Sequence, residues 1–122
     1  MPPAVRALRA ATTVDRDEPA HITERVVAML QQLFERNDVD HDDIISILFT
    51  TTGDIHSMYP PTAARTMGLG DVPLIGAQEI DVNGGTNMCI RVMLHVTTDR
   101  SRSELHHVYV EGAKGLRDDL PE

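Results

Sequence analysis

From Met88 to Thr98 apolar and mixed positions alternate. Met88, Ile90, Val92, Leu94 and Val96 hold the even positions, and Cys89, Arg91, Met93, His95 and Thr97 hold the odd ones. Successive side chains of a strand point to opposite faces, so the pattern predicts a strand with one core face and a second face carrying Arg91. Residues 4 to 14, ending in Ala10-Ala11-Thr12-Thr13-Val14, fit an opening strand. Asp17 and Glu18 before Pro19 are cap candidates with a first-turn proline. Ile22, Val26, Met29, Leu30 and Leu33 follow at i, i+4, i+7, i+8 and i+11, which predicts a one-faced helix ending near Asn37. The acidic run 38–43 reads as a solvated turn with a short helical piece. Ile44 to Thr52 is apolar and β-branched enough for a fully buried strand, and Pro60 to Gly68 reads as a short helix closed by glycine. Further strands are expected at Val72 to about Gln78 and at Leu105 to Glu111, with a turn at 82–86 between them and a short terminal turn at 113–117. The expected class is α/β in the broad sense (α+β): a small mixed sheet with one long and one short helix packed on it.

Length and charge narrow this picture. At 122 residues the chain is read as one domain over 1–122, with an ordered core at about 4–117 and a tail at 118–122. A net charge of −8 and the absence of any Lys/Arg run argue against nucleic acid as a partner. No stretch approaches the roughly 18 apolar residues of a membrane span, and the N-terminus lacks the apolar core of a signal peptide, so a cytoplasmic location is expected. The single Cys89 excludes an intrachain disulfide and reads as a small buried hydrophobe. With no Trp and only Phe34, Phe49, Tyr59 and Tyr109 as aromatics, the core must be aliphatic. A domain of this size gains stability by covering sheet surface with copies of itself.

The candidate chemistry is cationic. Arg91 interrupts an apolar strand, Arg9 sits among alanines and Leu8, and Arg117 follows Gly115-Leu116. A guanidinium cannot shed its proton to escape burial, so arginines placed in apolar segments of an acidic chain point to a pocket for a small, multiply anionic molecule. Arg9 or Arg91 taken alone also fits a structural arginine paired with Asp81 or Glu79. His106 and His107 are adjacent in a strand and so face opposite ways, and no carboxylate or cysteine cluster completes a metal site; His56 and His95 are read the same way.

Taken together, Arg9 to Val14, Gln78-Glu79-Ile80-Asp81-Val82, Cys89-Ile90-Arg91-Val92-Met93, His107-Val108-Tyr109 and Leu116-Arg117 closely resemble the AroH-class chorismate mutases, from about residue 5 to 120. The resemblance implies a homotrimeric pseudo α/β-barrel with clefts between subunits, no cofactor, no metal, and chorismate as substrate for rearrangement to prephenate. It implies that Arg91 addresses the breaking ether oxygen, that Arg9 and Tyr109 grip carboxylates, and that Glu79 accepts the ring hydroxyl. Tyr59, Pro61 and Arg65 match the loop and helix contributed by a neighbouring subunit, and the strand backbone around Ile75 and Gly76 is left to serve the substrate hydroxyl. Leu116 and Arg117 match the C-terminal contacts. Gly76 departs from the familiar pattern, which has a cysteine there. Two further readings stay open on the residues alone. One is a trimeric binding or regulatory protein holding an anionic metabolite; the other is an imine deaminase on a similar trimeric barrel, which would release ammonia.

Overall fold

The computed structural model describes residues 3–116; Arg117 and the expected tail at 118–122 lie outside the described residues. Strand β1 (Ala4–Thr13) leads into helix α1 (Pro19–Asn37), then β2 (Ile44–Thr51), helix α2 (Pro60–Arg65), β3 (Leu74–Gln78), β4 (Cys89–Thr98) and β5 (Val108–Tyr109). The sheet runs β3-β2-β4-β1-β5, with β4 antiparallel to both central neighbours and β3 and β5 parallel to theirs. A mixed sheet with one long and one short helix is the architecture expected from the sequence.

Helix α1 begins at Pro19, whose missing N–H is one the first turn leaves unused anyway. Neither cap candidate caps it. The Glu18 carboxylate pairs with Arg16 Nε at 2.9 Å, and Asp17 accepts the N–H groups of His56 (2.8 Å) and Ser57 (3.0 Å), fastening the loop before α2 to the start of α1. The helix stops where Asp38 turns left-handed at φ 51°. Its stripe of Ile22, Val26, Met29, Leu30 and Leu33 is fully buried against Leu8, Ala10, Ile47, Phe49 and the even residues of β4. Cutting any one of the larger of these side chains to alanine costs about 2–5 kcal/mol, because the surroundings collapse only partly into the gap.

Two expectations are corrected. Strand β2 is not buried on both sides: a bulge between Ile44 and Ser46 resets its alternation, Ile47 and Phe49 go to the core, and Leu48 is exposed. The fifth strand does not run from Leu105 to Glu111 but pairs only at Val108 and Tyr109. Val110 N–H still donates to the Ala11 carbonyl at 3.0 Å, but before Val108 side chains make the bonds. His106 N–H donates to Asn37 Oδ1 (2.7 Å), the His106 carbonyl accepts from Asn37 Nδ2 (2.8 Å), and Arg9 N–H donates to His107 Nδ1 (2.9 Å). At the far end Glu111, at φ 56°, ends the strand pairing, and the Gly112 N–H donates to Thr13 Oγ1 at 2.8 Å, which keeps the following turn against β1.

The result is a two-layer unit whose second sheet face is, among the described residues, uncovered over β3, β2 and the middle of β4, while Ala11, Cys89 and Tyr109 at its other end pack against Ala113 and Leu116. Val5 (62% exposed), Leu48, Ile75 (66%) and Met93 stand on that face. The register sets Ala11 opposite both Arg91 and Tyr109, and Arg9 opposite Met93, so Arg9, Arg91 and Tyr109 share it.

Candidate active site

Alternation along β4 turns Arg91 away from the α1 core, and the β1–β4 register makes Arg9 its diagonal neighbour, a separation of about 7–8 Å between such positions. A small apolar cluster of Ala11, Cys89, Tyr109 and Ala113, with Leu116 packed on it, forms the floor beside them. The Cys89 thiol is pushed up by burial, against the opposing pull of the Arg91 guanidinium, so it stays a neutral floor residue and not a thiolate.

Glu79 leaves the end of β3 with its N–H bonded to the Thr51 carbonyl at 2.8 Å. Its Oε1 accepts the Thr50 hydroxyl at 2.6 Å and stands 4.0 Å from Arg91 Nε. That distance carries charge complementarity without a hydrogen bond. Among the described residues Arg91 Nε, although buried, has no hydrogen-bond partner, and neither does the Tyr109 hydroxyl. A buried orphan donor costs about 1–3 kcal/mol, and here two of them occur on one sheet face beside a further arginine. Their placement is that of donors kept for a ligand.

Arg91 and Glu79 line a cleft of about 720 Å³ whose other walls are the Thr52–Asp54 turn and the 80–87 loop. The loop is set by Gly84 at φ 81° and by Met88 at φ 50°, whose N–H donates to Asp54 Oδ2 at 2.9 Å. Cys89 N–H in turn donates to Thr52 Oγ1 at 2.9 Å, so the first residue of β4 is held by side chains from the β2 end.

The remaining expected residues sit elsewhere. Tyr59, Pro61 and Gly76 line a second cleft of about 560 Å³, which shares Gln78 with the first. Gly76 faces Pro61: a Cβ built on it would meet the proline ring at 3.8 Å. Ile75 therefore points to the open face, where it is exposed. Arg65, in the last turn of α2, is exposed and lines neither cleft. Tyr59, four-fifths exposed, has little of its own chain against it. Thus one chain carries two separate sets: Arg9, Glu79, Arg91, Tyr109 and Leu116 in one place, Tyr59, Pro61 and Gly76 in another.

Thr50 and Asp17 were not foreseen. Nothing local marks either: Thr50 reads as an ordinary strand threonine until the register puts it opposite Arg91, and Asp17 reads as a helix cap. Among the described residues no group of three or more His, Cys, Asp or Glu could hold a metal, and no helix is long and apolar enough to cross a membrane.

A family model described as chorismate mutase type I matches residues 5–120. Chorismate mutase AroH of Bacillus subtilis (strain 168) is 38% identical over 117 residues, covering 95% of this chain and 92% of that one. Chorismate mutase AroH of Thermus thermophilus is 36% identical over 117 residues, covering 95% and 96%. Among solved structures, a chorismate mutase from Clostridium thermocellum superposes with a TM-score of 0.87 at 43% identity, covering 89% of this chain and 97% of that one.

Proposed function

This chain belongs to the type I chorismate mutases and is an isomerase, and we propose that it converts chorismate to prephenate by electrostatic stabilisation and conformational clamping alone, without a covalent intermediate. The observation that carries this reading is the pair of buried, unpartnered donors, Arg91 Nε and Tyr109 OH, on the face shared with Arg9.

The rearrangement breaks an ether C–O bond while a C–C bond forms, and the ether oxygen gains negative charge on the way to the transition state. A fixed cation aimed at that oxygen is worth more in the transition state than in the ground state, which is what accelerates a reaction that moves no proton. Arg91 takes this role. Arg9 and Tyr109, with Arg117 beyond the described residues, hold the two carboxylates. Glu79 accepts the ring hydroxyl. Folding the enolpyruvyl arm over the ring beforehand removes an entropic cost that the free substrate meets at each attempt.

The protein acts as a homotrimer in this reading. The open face exposes Val5, Leu48, Ile75 and Met93, an apolar surface suited to a second copy. Tyr59, Pro61, Arg65, Ile75 and Gly76 of a neighbour then complete the wall that the Arg91 set lacks. Purified protein should consume chorismate, followed by its loss of absorbance, and yield prephenate at a rate that a chelator leaves intact. The rate should vary little across the neutral range. A bell-shaped profile centred near pH 7 would point to proton transfer and count against the mechanism.

A further inference from the structure

We propose that Thr50 is a positioning residue for this reaction: its hydroxyl fixes Glu79 Oε1, so that Oε2 is the oxygen offered to the ring hydroxyl of the substrate. The inference rests on the function proposed above and deepens it. Thr50 is the Cα partner of Arg91 in the β2–β4 ladder and of Ala77 in the β2–β3 ladder, so it lies between the strand that carries the cation and the strand from which Glu79 emerges. Its hydroxyl donates to Glu79 Oε1 at 2.6 Å, a distance typical of a charge-assisted O–H···O bond. The same oxygen faces Arg91 Nε at 4.0 Å, and among the described residues Oε2 receives no hydrogen bond. One oxygen is thus held on both sides while the other stays open to accept.

The test is kcat and KM, measured separately, for chorismate consumption at neutral pH in the wild type and in Thr50→Val, Thr50→Ala and Thr50→Ser. Valine keeps the shape and strand preference of threonine but has no donor. Its kcat/KM should fall by roughly tenfold, as expected for losing a bond to a charged group. Serine should restore it, which a packing role for the threonine methyl would not do. Should the valine protein not fold, alanine is read in its place. An active wild type whose valine or alanine variant keeps its rate, or whose serine variant does not regain it, overturns the role of Thr50 alone; an inactive wild type overturns it together with the function.

Discussion

Arg91 Nε stops 4.0 Å short of Glu79 Oε1, close enough for the two charges to favour one another and too far for them to satisfy one another. An Nε–H already bonded to Glu79 would not be free to meet a ligand, and a guanidinium with no counter-charge would be costly to hold in a half-buried position. The gap keeps the donor aimed and available.

Arg91→Ala should lower kcat by about 10²–10³ or more, the usual cost of removing one preorganised donor from a developing negative charge. Arg91→Lys should recover only part of it, since lysine returns the charge but not the planar fork. Steady-state kinetics separate the cases: an effect confined to KM would make Arg91 a binding group only.

Gly76 carries no backbone demand for glycine, and a Cβ there would meet the Pro61 ring at 3.8–3.9 Å, an ordinary contact. Gly76→Cys should therefore fold normally and change kcat/KM by no more than about tenfold, the effect of one neutral hydrogen bond. Glu79→Ala should cost at least that much, because the hydroxyl would lose a charged acceptor. A nearly silent Glu79→Ala would mean that this carboxylate faces away from the substrate.

Activity should depend on the open sheet face. Leu48→Asp places a charge among Met93 and Ile75 without touching the α1 core, so the subunit should remain folded by circular dichroism while sedimenting as a monomer. That monomer should be inactive. A fully active one would show that a single chain suffices.

Asp54 gives a dependence on acid. Burial raises its pKa, but the Thr52 hydroxyl and the Met88 N–H donate to the carboxylate and outweigh it, leaving the group below the ordinary 3.8. A depressed carboxylate stabilises the fold fully above its unfolded value and loses that contribution as pH falls through the folded one. Stability measured by denaturant should hence decline as pH drops below about 4, and Asp54→Asn should flatten that decline. An unchanged slope in the variant would assign the acid sensitivity to other groups.

The sheet, both helices and the face of Arg91 were legible in the sequence because each rests on local periodicity: 2 along β4 and 3.6 along α1. What could not be read was set by partners distant in sequence. The truncation of β5 depends on Asn37 and Arg9 reaching His106 and His107, and the open side of β2 depends on a bulge that shifts Leu48 outward. Motifs marked Arg9, Glu79, Arg91 and Tyr109 as candidates, but the link of Glu79 to Thr50 needed the register of two ladders. Asp17 was misread for a related reason: its acceptors face a loop some forty residues away, where no cap rule looks.

Because Arg91 and Pro61 line different clefts of one chain, damage to either set is a separable lesion. In the ring of three proposed above, each cleft would join one set of a subunit to the other set of the next. Co-refolding a protein inactive at Arg91 with one inactive in the Tyr59–Pro61 loop would then rebuild a working cleft wherever the two kinds meet in the productive order. Any mixed ring of three contains one such junction. Two dead alleles of this gene, expressed together, would complement each other.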